Sequence, residues 1–389
     1  MSNKRLLYAS NVSNVAHLDY LLKGSNWKIF IMRPWVPKKW LIRISELVSE
    51  KLSLTLRARE NDLLPSLNYV SLNLGVGQFY APTKNLIIKS PLSQNETIFV
   101  NRILAHRVVK KISKMDVVIT TRDIYPKFQP IPGRVYIAEM RELHPNNLWS
   151  REVPIFGYPY NAEKKQALRS AYAKDFENIK LSASGLMTYS SIAKDSFIAN
   201  GYPANKIFVF PLRYPVIAST ELSTRRTSNC LFVGRDDPNK GLDLAVLASL
   251  EAKVHLKVVG HYSSQVINWM KNYKHVEYIG PVNRTRMREL MSSSHALLAP
   301  SLESYGLAVI EALESGCLVV SSQMNGAAAT FGGSPNVFCA VSLDLSGFTK
   351  QLHDALEAHY IFNEEVRKED FPKKFDEFID YLGQIQWQS

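Results

Sequence analysis

Short apolar runs that end in glycine or a polar residue recur along this chain at helix-length intervals, and this alternation limits the fold more than any other feature. In the second half they read CLFVGR, HLKVVG, VEYIG, HALLAPS and CLVVSS, each followed by a helical pattern or a loop. Strands that alternate with helices call for a mostly parallel sheet covered on both faces. The first half shows the same rhythm in RLLYAS, WKIFIM, LNYVSLNL, NLIIKS, DVVITT and RVYIAEM, with a longer helical pattern at ETIFVNRILAHRVVKKISKM. It closes on GLMTYSSIAKDSFIANGYPANKIFVFPLRYP, read as strand, serine-capped helix, glycine stop at Gly201 and strand.

At 389 residues the chain exceeds one comfortable core, so the expectation is α/β, with two doubly wound domains. The polar, Ser/Thr-rich stretch YPVIASTELSTRRTSN separates them. The expected layout is a first domain over 1–214, a linker over 215–229 and a second domain over 230–370. A C-terminal helix over 371–389 is expected to pack back towards the first domain.

Three cysteines, Cys230, Cys317 and Cys339, stand in apolar settings without a C-x-x-C pair, which points to reduced thiols rather than disulfides or zinc. The stretch MSNKRLLYASN has too short an apolar core for a signal peptide, and no run of about eighteen apolar residues occurs. A cytoplasmic protein is expected. Charge is uneven: residues 1–215 hold 31 basic and 15 acidic side chains, a net +16, whereas 216–389 hold 16 and 20, a net −4. A basic half suits an anionic partner, although the same surface would also serve solubility.

Open α/β sheets bind ligands beyond the carboxyl ends of their strands. In GRDDPNKG, Arg235 and Lys240 flank a turn bounded by Gly234 and Gly241; two cations there suit a diphosphate, and a solvated turn is the plain alternative. Asp236 and Asp237 read as turn formers or salt-bridge partners rather than metal ligands. In PSLESYGLAVIEALESG the first-turn amides near Gly306, Leu307 and Ala308 offer a phosphate site, and Gly306 allows close approach to the backbone. Glu311 lies a turn inside that helix, where a carboxylate can accept from the vicinal hydroxyls of a ribose. Glu303, in the preceding loop, can do the same for a sugar. Surface acids are the alternative for both.

These segments, together with VEYIGPVNRTRMRELMSSSHALLAPSLESYGLAVIEALESGCLVVSS, resemble the retaining GT-B glycosyltransferases of family four, the glycosyl transferases group 1, in their bacterial polysaccharide form. Seven residues separate Glu303 from Glu311, as in that family's signature. The resemblance implies two Rossmann-like domains facing across a cleft, with a UDP- or GDP-linked sugar held mainly by the second. By position, Arg235 and Lys240 would neutralise the departing diphosphate, and the amides after Gly306 would bind the same phosphates. Glu311 would hold the ribose and Glu303 the donor sugar. The base would lie near Gly260 and Ile279 to Val282, with Gly234 at the phosphate loop. No metal and no cofactor are expected.

The first half departs from the family. SNVSNVAH stands where a glycine pair is usual, so Asn11, Ser13 and Asn14 are the expected donor contacts from that side. VYIAEMRELHP resembles an E-x-R-D-x-x-P variant with Glu142 in place of Asp, which makes Arg141, Glu142 and His144 the acceptor-side candidates. After CLVVSSQMNG the usual Pro-Glu pair is absent. The segment Trp35 to Arg59 combines an apolar helical stripe with six basic side chains and two tryptophans, suited either to an anionic membrane surface or to packing on the sheet. The expected activity is transfer of a sugar from a nucleotide donor to a saccharide or lipid-linked glycan acceptor, in cell-surface polysaccharide or glycolipid synthesis. The expected place is the cytoplasm, with peripheral docking on the inner membrane face as a candidate. Two alternatives remain: a nucleotide-sugar epimerase or phosphorylase on the same fold, and a non-catalytic, basic membrane- or polyanion-binding homologue. Nucleic acid is not expected, because no aromatic-interleaved basic motif occurs.

Overall fold

The computed structural model describes residues 5–9, 28–32, 70–71, 117–121, 135–148, 158–159, 162–210, 227–361, 377–378 and 380–381. Asn11, Ser13, Asn14, the Trp35–Arg59 segment, the expected NLIIKS strand, the expected helix over 96–115 and most of the linker lie outside those residues.

The first sheet contains β1 (Arg5–Ala9), β2 (Lys28–Met32), β3 (Val70–Ser71), β4 (Val117–Thr121), β5 (Val135–Glu139), β6 (Gly185–Thr188) and β7 (Ile207–Val209). Its order is β3-β2-β1-β4-β5-β6-β7, and all six pairings are parallel. The described helices of this lobe are α1 (Pro145–Leu148), α2 (Ala162–Ser182) and α3 (Ser191–Ile198). Every residue of β5 and β6 is buried, as expected for strands covered on both faces. The start of α3 follows the sequence expectation: the Ser190 hydroxyl accepts from the Ala193 amide at 3.2 Å, and Gly201 adopts φ 82° after the helix.

The second sheet contains β8 (Cys230–Val233), β9 (Leu256–Val259), β10 (Val276–Gly280), β11 (Ala296–Ala299), β12 (Leu318–Ser322) and β13 (Val337–Ala340). Its order is β10-β9-β8-β11-β12-β13, again parallel throughout. The helices are α4 (Leu242–Glu251), α5 (Ser264–Met270), α6 (Arg284–Ser293), α7 (Leu307–Glu314), α8 (Gly326–Thr330) and α9 (Leu345–Glu357). Strand β13 adds a sixth strand to the five expected from the sequence. It pairs with β12 from Val319↔Val337 to Ser322↔Ala340 and is covered by α9. Phe348 and Leu352 of α9 are fully buried, which stabilises the lobe by about 1.5–3 kcal/mol each.

The lobes share packing. Leu302, from the loop after β11, joins a first-lobe cluster containing Val118, Tyr136, Phe176 and Phe197. Gly326 at the start of α8 abuts Ser190, so that a Cβ there would meet the Ser190 Cβ at 2.8 Å. Tyr158 crosses the other way: it is buried in the second-lobe core, its ring 5.1 Å from that of Trp269. Near the C-terminus Phe378 and Tyr381 pack on Phe208 of β7, and the Tyr381 hydroxyl donates to the Lys206 carbonyl at 2.7 Å. The cysteines are all free, with Cys230 and Cys317 buried and Cys339 half-buried. Among the described residues no helix is long and apolar enough to cross a membrane.

Candidate functional site

In the second sheet the winding direction reverses between β8 and β11, which opens a crevice at the carboxyl edge between the loops that follow them. Those two loops bring Lys240 and Glu303 together. The Lys240 ammonium lies 2.5 Å from Glu303 Oε1, across 63 residues of sequence, and both side chains are half-buried.

Each loop is built locally. After β8 the Asp237 carboxylate accepts from the Asn239 amide at 3.0 Å and caps a 3-10 turn over Pro238–Lys240. Gly241, at φ 75°, then turns the chain into α4. Asp236 accepts from the Tyr158 hydroxyl at 3.2 Å and from the Ser263 amide at 3.0 Å. Both acids of the turn therefore have structural duties, as the turn-former reading expected. Arg235 is 71% exposed and pairs with Asp237 at 3.3 Å, on the same turn as Lys240.

The loop after β11 ends at Gly306, whose φ of 90° and ψ of 59° start α7. A Cβ at this position would lie 2.2 Å from Asn325 Oδ1, so both backbone and space require glycine. Leu307 and Ala308 form the first turn of α7, half-buried, and Glu311 lies one turn further along, also half-buried. The Ser301 hydroxyl donates to Glu303 Oε2 at 3.2 Å and accepts from Asn325 Nδ2 at 2.9 Å. Backbone bonds tie the same loops together, from the Glu303 amide to the Met324 carbonyl at 3.1 Å and from the Gly326 amide to the Glu303 carbonyl at 3.0 Å. Ser301 and Asn325 were not singled out from the sequence.

Gly234 and Gly260 end β8 and β9 in close contact: a Cβ on Gly260 would sit 1.6 Å from the Gly234 carbonyl oxygen. The Tyr278 hydroxyl donates to the Gly260 carbonyl at 3.0 Å, and Val282 is half-buried just beyond β10. Among the described residues no three His, Cys, Asp or Glu side chains converge as metal ligands.

The first-lobe edge differs from its sequence reading at one residue. His144 was expected on the acceptor side; its side chain instead lies in the core. It is 4% exposed, with its ring edge-on to Phe176 at 4.4 Å and to Phe197 at 6.0 Å. Burial, and then the charge of Lys180, lower its pKa to about 4, while Nδ1 accepts from the Asn146 amide at 3.2 Å. A neutral imidazole spent on packing and on a turn cannot serve an acceptor. Arg141 and Glu142 do lie half-buried just beyond β5. The sequence reading included Glu139, the last residue of β5, only as the first position of the E-x-R-D-x-x-P pattern and gave it no role: its fully buried carboxylate accepts from Arg141 Nε at 2.6 Å and from the Tyr189 hydroxyl. An acid two residues before an arginine at a strand end was the available signal.

Residues 224–368 match the model of the family described as glycosyl transferases group 1. Solved structures match nearly the whole chain. WaaG, a glycosyltransferase involved in lipopolysaccharide biosynthesis, is 14% identical, with a TM-score of 0.53 over 97% of this chain and 100% of its own. HepE of Anabaena, solved with UDP and glucose, is 13% identical, with a TM-score of 0.56 over 97% and 99%. Sucrose-phosphate synthase of Thermosynechococcus elongatus is 13% identical, with a TM-score of 0.55 over 98% and 100%. At such identities the likeness shows the fold. No curated protein matches the chain by sequence. The chain has the GT-B architecture, and residues 224–368, most of its second lobe, are similar to the glycosyl transferases group 1.

Proposed function

We propose that the chain is a retaining, metal-independent glycosyltransferase that moves a sugar from a UDP- or GDP-linked donor to a saccharide or lipid-linked glycan acceptor, in cell-surface polysaccharide or glycolipid synthesis. The observation that carries this reading is the Lys240–Glu303 contact at the switch point, beside the Gly306 start of α7 and inside the family-matched segment.

Transfer breaks the bond between the anomeric carbon and a phosphate oxygen, and the electron pair stays on the diphosphate. Negative charge therefore grows on the leaving group, and groups that bind it more tightly in the transition state lower the barrier. Lys240, Arg235 and the amides of Leu307 and Ala308 are the proposed hydrogen-bond donors that stabilise that charge. They make a divalent ion dispensable in this reading, so turnover should survive chelation by EDTA. Glu311 is assigned to the ribose hydroxyls and Glu303 to hydroxyls of the donor sugar. Gly234, Gly260 and Val282 would border the phosphate and base. The acceptor oxygen attacks the face that the diphosphate leaves and passes its proton to the departing diphosphate oxygen, which retains the anomeric configuration without an enzyme nucleophile. Arg141 and Glu142 are assigned to the acceptor side, and Asn11, Ser13 and Asn14 to the first lobe's contacts with the donor.

The net +16 of residues 1–215 supports peripheral docking of a cytoplasmic enzyme on an anionic inner membrane face, where a lipid-linked acceptor would be reached. Co-sedimentation with vesicles should then require anionic lipid and weaken with salt; binding indifferent to both would remove this part. The activity itself is tested by donor turnover in Glu303→Ala, which should fall at least about a hundredfold. Unchanged turnover would overturn the transferase mechanism.

A further inference from the structure

Asn325 is fully buried, and its amide orientation is determined by its surroundings. Oδ1 accepts from the Ala328 amide at 3.2 Å and caps α8, which leaves Nδ2 to donate to Ser301 Oγ at 2.9 Å. A serine hydroxyl that accepts from an amide still has one O–H to give. Here it points to Glu303 Oε2 at 3.2 Å. The other carboxylate oxygen takes the Lys240 ammonium at 2.5 Å, so the plane of the Glu303 carboxylate is held from both ends. Asn325 also backs Gly306, where a Cβ would meet its Oδ1 at 2.2 Å, and bridges Glu303 through the backbone. One buried side chain thus spans the start of α8, the start of α7 and the Glu303 loop.

We infer that Asn325 is a positioning residue for Glu303, acting through a directed relay in which Asn325 Nδ2 orients the Ser301 hydroxyl and that hydroxyl orients the carboxylate. The catalytic consequence rests on the transferase reading above; the geometric consequence does not. Hydrogen bonds in series polarise one another, so reversing the first should release the second.

Asn325→Asp makes that reversal at constant size. It keeps an acceptor to cap α8 but replaces the amide donor with an acceptor that would capture the Ser301 proton. A crystal structure of this variant should show the Ser301 hydroxyl turned away from Glu303 and the carboxylate rotated. Its kcat should fall about tenfold, with the donor KM within about twofold of wild type. Ser301→Ala should behave alike, whereas Ser301→Thr, which keeps the hydroxyl, should restore most of kcat. In a Glu303→Gln background, Asn325→Asp should cost less than about twofold more, because the two share one pathway. An unmoved Glu303 carboxylate in the variant structure would overturn the relay, as would an equal loss in both backgrounds. If the wild type turns over no sugar nucleotide, the transferase reading fails by itself, and the variant structure still decides the positioning.

Discussion

Each lobe ends a strand or loop of its sheet's carboxyl edge with a carboxylate bound to a cation, yet the two pairs are built oppositely. Glu139 and Arg141 are neighbours in sequence, 2.6 Å apart, with the carboxylate fully buried and also bonded to Tyr189. Glu303 and Lys240 come together across 63 residues, 2.5 Å apart, with 30% and 22% of their side chains exposed. A fully buried carboxylate that loses its cation is stranded in a poor solvent, whereas a half-exposed pair can exchange its partner for water or a ligand at small cost. The difference teaches that Glu139 belongs to the architecture of its lobe, and that the second pair is open to exchange with solvent.

The largest effect should come from stranding the buried carboxylate. Arg141→Ala, which leaves the fully buried Glu139 carboxylate without that cation, should destabilise the protein by roughly 3–5 kcal/mol, seen as a large drop in the denaturant midpoint. Glu303→Ala should change stability by no more than about 1 kcal/mol. If the two variants lost equal stability, the contrast would be broken. Next in size is activity: Glu303→Ala and Lys240→Ala should each lower kcat at least about a hundredfold, close to 2.7 kcal/mol, while remaining folded by circular dichroism.

The interior of the first lobe supplies a third, pH-dependent effect. His144 has its pKa lowered from 6.5 to about 4, so the folded state prefers it neutral. Its contribution to stability is complete above pH 6.5 and is lost as pH falls from there towards 4, where the unfolded chain binds the proton first. At pH 5 the loss should be about 2 kcal/mol relative to pH 7. His144→Phe should remove that part of the acid dependence in thermal melts at the two pH values, and an unchanged slope would show that His144 is not responsible. The smallest effect belongs to Arg235, the exposed cation of the turn after β8. Arg235→Ala should lower kcat about tenfold and leave stability within about 0.5 kcal/mol.

The sheets were legible in the sequence because parallel strands buried on both faces must be short continuous apolar runs, as in VYIAE and LVVSS. Their glycine-terminated ends marked the carboxyl edge, and Arg235, Lys240, Gly306 and Glu303 stand out as types suited to an anionic sugar ligand. Strand β13 was harder to see: VFCA is brief and lies between two polar loops. Ser301 and Asn325 were not legible either, because a serine and an asparagine in a loop announce nothing until β11 and β12 set their loops side by side. His144 was misread for the converse reason. Its polarity is visible in sequence, whereas the aromatic walls from Phe176 and Phe197 come from helices 32 and 53 residues away.

The measurement closest to the central claim is a calorimetric titration of UDP and GDP, without added divalent cation, into the wild type and Lys240→Ala. The account predicts that at least one of the two nucleotides binds the wild type and binds the variant at least about tenfold more weakly, a loss of about 1.4 kcal/mol. Equal affinity for the two proteins, or binding of neither nucleotide to the wild type, would contradict a diphosphate site at the Lys240–Glu303 contact.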